Sequence, residues 1–125
     1  MNIHESAEDY LEAILMLHQQ KGYARSVDIA AMLNVTKPSV SIAMKRLREN
    51  GYIRMDEESL ITLTPQGEAI ARRILERHRT IAAFLEALGV DEKTALEDAC
   101  KIEHDISETS FEAICRHARE HASEN

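Results

Sequence analysis

A chain of 125 residues with 44% hydrophobic content has the size of one compact domain, or of a small module fused to a helical appendage, and the absence of Trp with only 4% aromatic residues points to an aliphatic, mostly helical core. No run approaches a membrane span and the opening MNIHESAEDY has no basic-then-apolar signal pattern, so a cytoplasmic protein without membrane contact is expected, with Cys100 and Cys115 as thiols rather than a disulfide. The net charge of −7 is uneven: residues 21–54 carry seven cations against Asp28 and Glu49, a local +5 that leaves −12 elsewhere, the asymmetry of a basic nucleic-acid-facing module joined to an acidic one.

Residues 5–21 read as a helix, because Tyr10, Leu11, Ile14, Leu15 and Leu17 fall within one arc and Gly22 follows as a stop. Asp9, Glu12 and Met16 fall on its opposite side. Ser26 opens a short helix ending near Asn34, and Thr36 N-caps the next, with Pro38 tolerated in its first turn and Val40, Ala43, Met44 and Leu47 facing inward up to the Asn50-Gly51 stop. Two short helices joined by a tight turn match a helix-turn-helix with residues 36–50 as the recognition helix. The following YIRMDEESLITLT has the form of a β-hairpin turning at Asp56–Ser59, which in this position is a wing. Thr64-Pro65 starts a helix running to about Leu88 and Gly89, with an apolar stripe of Ile70, Ile74, Ile81, Leu85 and Leu88 interrupted by His78. Asp91 caps a helix through about His104, and Ser107 caps a last one that uses Phe111, Ile114 and Cys115 as apolar contacts, before a frayed SEN end. The expected fold is mostly α, a winged helix-turn-helix over residues 1–63 followed by a helical region over residues 64–125.

Three clusters on these helices carry metal-ligand chemistry. Asp9 and Glu12, at i and i+3, project from one face and repel each other unless a cation or water screens them; taken alone, a solvated acidic face is the commoner explanation. His78 taken alone is more often a hydrogen-bonded core histidine. Cys100, Glu103 and His104, at i, i+3 and i+4, bring a thiolate, a carboxylate and an imidazole together, and the three clusters in combination favour a transition metal. His117 and His121, four residues apart, are read as surface side chains rather than an accessory site.

The segments SAEDYLEAI, the helix-turn-helix of residues 26–50, ERHRTIAAFL and DACKIEHDIS cover the chain in order and resemble the diphtheria-toxin-repressor family of metal-dependent regulators, most closely its short manganese-transport-regulator branch. The resemblance implies metal ligands at Asp9, Glu12, His78, Cys100, Glu103 and His104, a homodimer built by the helices after the wing, and repression of metal-uptake genes when metal is bound. The chain is a hybrid. The manganese branch usually has Glu at position 100, whereas the iron branch has Cys there but Met at position 9. The iron branch also builds an ancillary site where Ala82 and Leu96 stand here, and longer relatives carry a carboxy-terminal β-barrel domain beyond this sequence. A thiolate favours Fe²⁺ slightly over Mn²⁺, and Cys100 bridges two ions less readily than a carboxylate.

On the recognition helix, Thr36, Lys37, Ser39, Ser41 and Lys45 are the expected groove and phosphate contacts, with Pro38 touching a thymine methyl, and Arg25 and Ser26 contact the backbone. The expected partner is double-stranded DNA with a palindromic operator. A rival reading keeps the winged helix but makes the effector an organic ligand. An enzyme would need an open coordination position beside a substrate pocket, and the helical carboxy-terminal half offers no nucleophile motif, Gly-rich loop or lid.

Overall fold

A computed structural model describes the backbone of residues 5–122 and, within it, all side chains except those of residues 5, 6, 104, 121 and 122. The frayed SEN end expected above lies outside the described residues. The elements are α1 (Glu5–Lys21), α2 (Ser26–Leu33), α3 (Lys37–Glu49), β1 (Ile53–Met55), β2 (Ile61–Leu63), α4 (Pro65–Ala87), α5 (Glu92–Asp105) and α6 (Glu108–Ala122). They form two compact units, residues 1–73 and 74–125.

In the first unit, α1, α2 and α3 pack together around Leu11, Ile14, Ile29, Val40 and Met44, all essentially inaccessible to solvent. The turn between α2 and α3 is made by Asn34 in the left-handed region at φ 55°, a conformation Asn tolerates better than other non-glycine residues. Thr36 then caps α3, its hydroxyl oxygen accepting the Ser39 amide at 3.2 Å. Helix α3 ends in a Schellman motif: Tyr52 N–H donates to Leu47 O at 2.9 Å and Gly51 N–H to Arg48 O at 3.1 Å, with Gly51 at φ 78° supplying the reversal.

The wing is a two-stranded antiparallel hairpin in the register Ile53↔Leu63, Arg54↔Thr62 and Met55↔Ile61. Its turn is organised by Asp56, whose Oδ1 accepts the amides of Glu58 and Leu60, each at 2.9 Å. Strand β2 is anchored on its outer edge as well. Ile61 N–H donates to Ala24 O at 2.9 Å, and His18 Nε2 on α1 donates to Ile61 O at 2.8 Å. The turn end of the hairpin is therefore tied to α1 and to the segment that follows it by hydrogen bonds, while Ile53 and Ile61 bury the inner side of both strands.

Thr64 both closes the wing and opens α4. Its hydroxyl donates to Gly51 O at 2.6 Å and accepts the Gly67 amide at 3.2 Å, while its own amide donates to Tyr52 O at 3.1 Å. The same Tyr52 carbonyl lies where a side chain on Gly67 would begin, since a Cβ added there would stand 2.0 Å from that oxygen.

In the second unit, α4 and α5 meet through Ile81, Ala82, Ala95 and Ala99, with Leu85, Val90, Ile102, Ile106 and Phe111 closing the cluster. A second Schellman motif ends α4, with Val90 N–H donating to Leu85 O at 3.1 Å and Gly89 N–H to Glu86 O at 2.9 Å around Gly89 at φ 103°. Asp91 and Ser107 cap α5 and α6 by accepting the amides of Thr94 and Ser110. The Thr94 amide and hydroxyl hold the Asp91 carboxyl below its ordinary value. One position departs from the expected stripe: Leu88 is 66% exposed, because α4 stops at Ala87 and the Gly89 reversal turns Leu88 away from the cluster.

Gly67→Ala is expected to lower stability. Overpacking against backbone costs roughly 1–3 kcal/mol, at the upper end here because no flexible side chain can yield, and the gain in helix propensity returns about 1 kcal/mol. Urea unfolding followed by circular dichroism should register a net loss of about 2 kcal/mol.

Candidate metal centre and nucleic-acid interface

The acidic pair on α1 does not behave as a solvated face. Glu12 is buried (5% exposed), and Asp9 and Met16 are half-buried, so α1 is covered on the side opposite Leu11, Ile14 and Leu17 as well. The amphipathic pattern of the sequence places these residues correctly around the helix but says nothing about a second covered side, which depends on what packs there. An i, i+3 carboxylate pair held out of water raises its mutual repulsion and so its demand for a cation.

The second unit gathers its candidate ligands around one carboxylate. Glu103 on α5 is 2% exposed, the most buried acidic side chain among the described residues. A carboxylate oxygen of Glu103 lies within 4.8 Å of Cys100 Sγ, one turn back on α5, and one lies within 4.8 Å of a ring nitrogen of His78 on α4. His78 is half-buried, and its Nε2 donates to Leu96 O at 3.2 Å. A carbonyl can only accept, so the neutral ring carries its proton on Nε2 and its lone pair on Nδ1. A backbone carbonyl that fixes the imidazole tautomer in this way is the usual outer partner of a metal-binding histidine. His104 sits on α5 immediately after Glu103, and its side chain is outside those described. Oxygen, nitrogen and sulfur donors converging on a buried carboxylate suit a first-row divalent ion.

The ancillary positions carry no donor: Ala82 is buried in the helix interface and Leu96 is exposed. Cys100 and Cys115 are both free and half-buried. His117, exposed on α6, stacks edge-on to Phe84 with ring centroids 5.6 Å apart, and the side chain of His121 is outside those described. The sequence reading overlooked Arg77. This buried arginine donates from Nη1 to Glu108 at 3.3 Å and lies 4.7 Å over the Phe111 ring, fastening α4 to the start of α6 next to His78. The signal was available, as a lone cation within the stripe that runs from Ile70 to Ile81.

On α3, Lys37, Pro38, Ser39, Ser41 and Lys45 are all exposed, while Val40, Met44 and Leu47 are buried. Thr36 is exposed, and its hydroxyl is engaged with both the amide and the hydroxyl of Ser39. Arg25 occupies the N-cap position of α2 in extended conformation, its guanidinium 5.8 Å over the Tyr23 ring, and Ser26 is the first residue of that helix. Lys37, Lys45, Arg46 and Arg48 give the exposed side of α3 a cationic surface, the electrostatic requirement for a phosphate backbone.

Residues 2–59 match the family model of the iron-dependent repressor N-terminal DNA-binding domain, and residues 64–122 match that of the iron-dependent repressor metal-binding and dimerisation domain. The chain belongs to the iron-dependent repressor family. Family members with high similarity include the HTH-type transcriptional regulator MntR of Lysinibacillus sphaericus, 39% identical over 109 residues that span 87% of this chain and 78% of that protein. An HTH-type regulator of Methanocaldococcus jannaschii is 40% identical over 88% of this chain and 90% of its own length. Among solved structures, the IdeR of T. acidophilum superposes with a TM-score of 0.80 at 31% identity, covering 94% of this chain, and the manganese regulator SloR with a TM-score of 0.78 at 27% identity, covering 95%. The chain spans 55% of the length of each of those two structures. This family member is a metal-dependent, DNA-binding transcriptional regulator and not an enzyme, and the organic-effector alternative is not favoured. No helix among the described residues is long and apolar enough to cross a membrane.

The tautomer assignment is open to test by ¹⁵N-edited NMR of the imidazole rings. The neutral ring of His78 should carry its proton on Nε2, and a neutral ring with Nε2 unprotonated would contradict the hydrogen bond to Leu96 O.

Proposed function

We propose that this regulator is a cytoplasmic homodimeric repressor of metal-uptake genes, activated when Asp9, Glu12, His78, Cys100, Glu103 and His104 together hold a divalent metal ion. The observation that carries the reading is the convergence of Cys100 and His78 on the buried carboxylate of Glu103. In this reading residues 1–63 form the DNA-binding domain and residues 64–125 the dimerisation and metal-binding domain.

When bound, the ion supplies the positive charge that lets Asp9, Glu12 and Glu103 remain ionised out of water. The remaining work belongs to the chain. Glu103 is fixed by burial, and His78 is oriented by the Leu96 carbonyl. Asp9 and Glu12 stand on the helix that packs against α2 and α3 and donates His18 to the wing. Restraint of α1 by its two carboxylates is therefore passed to the recognition helix and the wing through contacts that already exist. In a dimer, this fixes the separation of two recognition helices, which must be about 34 Å or a multiple of it to enter successive major grooves of a palindrome. Thr36, Lys37, Pro38, Ser39, Ser41 and Lys45 then face the groove, with Arg25 and Ser26 on the phosphates.

For the identity of the ion, the relatives favour manganese. Several are named MntR, and SloR is described as a manganese regulator, so the lean to Fe²⁺ drawn from the Cys100 thiolate has no support among them. Mn²⁺ prefers hard oxygen donors, and the proposed set contains three carboxylates, which accommodates it alongside one sulfur.

The test uses duplex DNA enriched by the wild-type protein from a randomised pool in the presence of Mn²⁺. Titration with Mn²⁺, and anaerobically with Fe²⁺, should strengthen binding by about 5–150-fold, the usual range of allosteric coupling. Glu103→Gln keeps the shape but not the charge and should reduce that response to below about twofold. An undiminished response in this variant overturns the ligand assignment. Cys100→Glu should move the preference further toward Mn²⁺, and an unchanged ratio would remove Cys100 as a selectivity element. Lys45→Ala should weaken binding to all sequences alike and lower the salt slope by about 1.

A further inference from the structure

Isoleucine 42 is 57% exposed in the middle of the cationic surface of α3. Single exposed aliphatic residues are common and need no explanation by themselves. Its position is what sets it apart. Pro38, Ile42 and Lys45 follow one another at i, i+4 and i+7, along the line of the helix directly opposite the buried Val40, Met44 and Leu47. Ile42 thus occupies the centre of the side that a major groove would meet, while Ser39 and Ser41 lie to its flanks. Lys45 and Arg46 flank it on either side, and Lys37 and Arg48 add exposed positive charge elsewhere on the helix, complementary to phosphate.

The side chain has no donor or acceptor, so it cannot read the hydrogen-bonding edge of a base. The thymine 5-methyl is the apolar feature that a major groove presents. Ile42 placed against the O6 and N7 of guanine, or the amino group of cytosine, would bury those groups without a partner, at a cost. Placed against thymine it buries two apolar surfaces together. β-Branching leaves Ile with essentially one rotamer in a helix, so little side-chain freedom is lost on contact.

We propose that Ile42 is a specificity-determining residue of this regulator, selecting a thymine in each half-site through its 5-methyl group and excluding G·C pairs at that position. The inference rests on the DNA-binding role assigned to α3 and adds the base and the chemical group that this chain selects. Pro38 contributes a second apolar surface one turn earlier, and Lys45 holds the neighbouring phosphate, so Ile42 supplies discrimination while the cations supply most of the affinity.

The experiment separates the inference from the reading beneath it. A duplex enriched by the wild-type protein from a randomised pool in Mn²⁺ is resynthesised with each thymine replaced singly by deoxyuridine, which removes the methyl and keeps every hydrogen-bonding group. One position in each half-site should lose about fourfold in affinity, the partition of one methyl group at about tenfold per 1.4 kcal/mol. Ile42→Ala should reduce that discrimination to below about twofold, and selection with this variant should relax thymine at the same position. Ile42→Val, which keeps a β-branched apolar surface, should retain the preference. The variants lie on the surface, and unchanged melting and helical content would exclude a folding effect. If the enriched duplex has no fixed thymine, if no single deoxyuridine matters, or if Ile42→Ala keeps the wild-type ratio, the inference is overturned while DNA binding stands. Failure to enrich any duplex overturns both.

Discussion

A carboxylate held out of water beside a thiol and an imidazole is the constraint on which the rest of this protein turns. Glu103 on α5 is 2% exposed, with Cys100 Sγ and a ring nitrogen of His78 each within 4.8 Å of its carboxylate. Glu12 is nearly as inaccessible on a helix whose other buried side chains are leucine, isoleucine, alanine and tyrosine. Moving an ionised carboxylate out of water costs far more than a packing defect, and it must be met by donors, protonation or a cation. Nitrogen and sulfur donors placed near such a carboxylate add nothing to a hydrophobic core. They are the donor types that suit a divalent metal ion.

That constraint acquires regulatory meaning from the way the first unit is tied together. Helix α1 carries the acidic pair on one side and packs against α2, α3 and the wing on the others. Ala24 and His18 take up the outer hydrogen bonds of Ile61, so the wing cannot shift without breaking contacts to the end of α1. Thr64 adds a second joint by bonding at once to the turn after α3 and to the first turn of α4. A restraint placed on α1 therefore reaches both α3 and the wing through contacts that already exist.

The discrimination proposed for α3 follows a division of labour. Phosphate contacts from lysine and arginine set affinity and its salt dependence but carry no base information. Of the remaining side chains on that surface, Thr36 and Ser39 are partly occupied with each other at the cap. A rigid apolar side chain at the centre of the surface is then well placed to distinguish one base pair from another by a methyl group.

Most of the fold was legible in the sequence because it is written in local chemistry. Thr36, Thr64, Asp91 and Ser107 mark helix starts, Gly51 and Gly89 mark reversals, and Asp56 organises a turn through its own neighbours; each acts within a few residues. The i, i+3 and i+4 spacing of Cys100, Glu103 and His104 is likewise a property of one helix. Tertiary structure alone decided which polar side chains leave water. It buried Glu12 on a side of α1 that resembles a solvated face, held Arg77 over Phe111, turned Leu88 outward and left Ile42 exposed among cations. The physical reason is that periodicity assigns a residue to one side of its helix, whereas burial depends on what another part of the chain brings to that side.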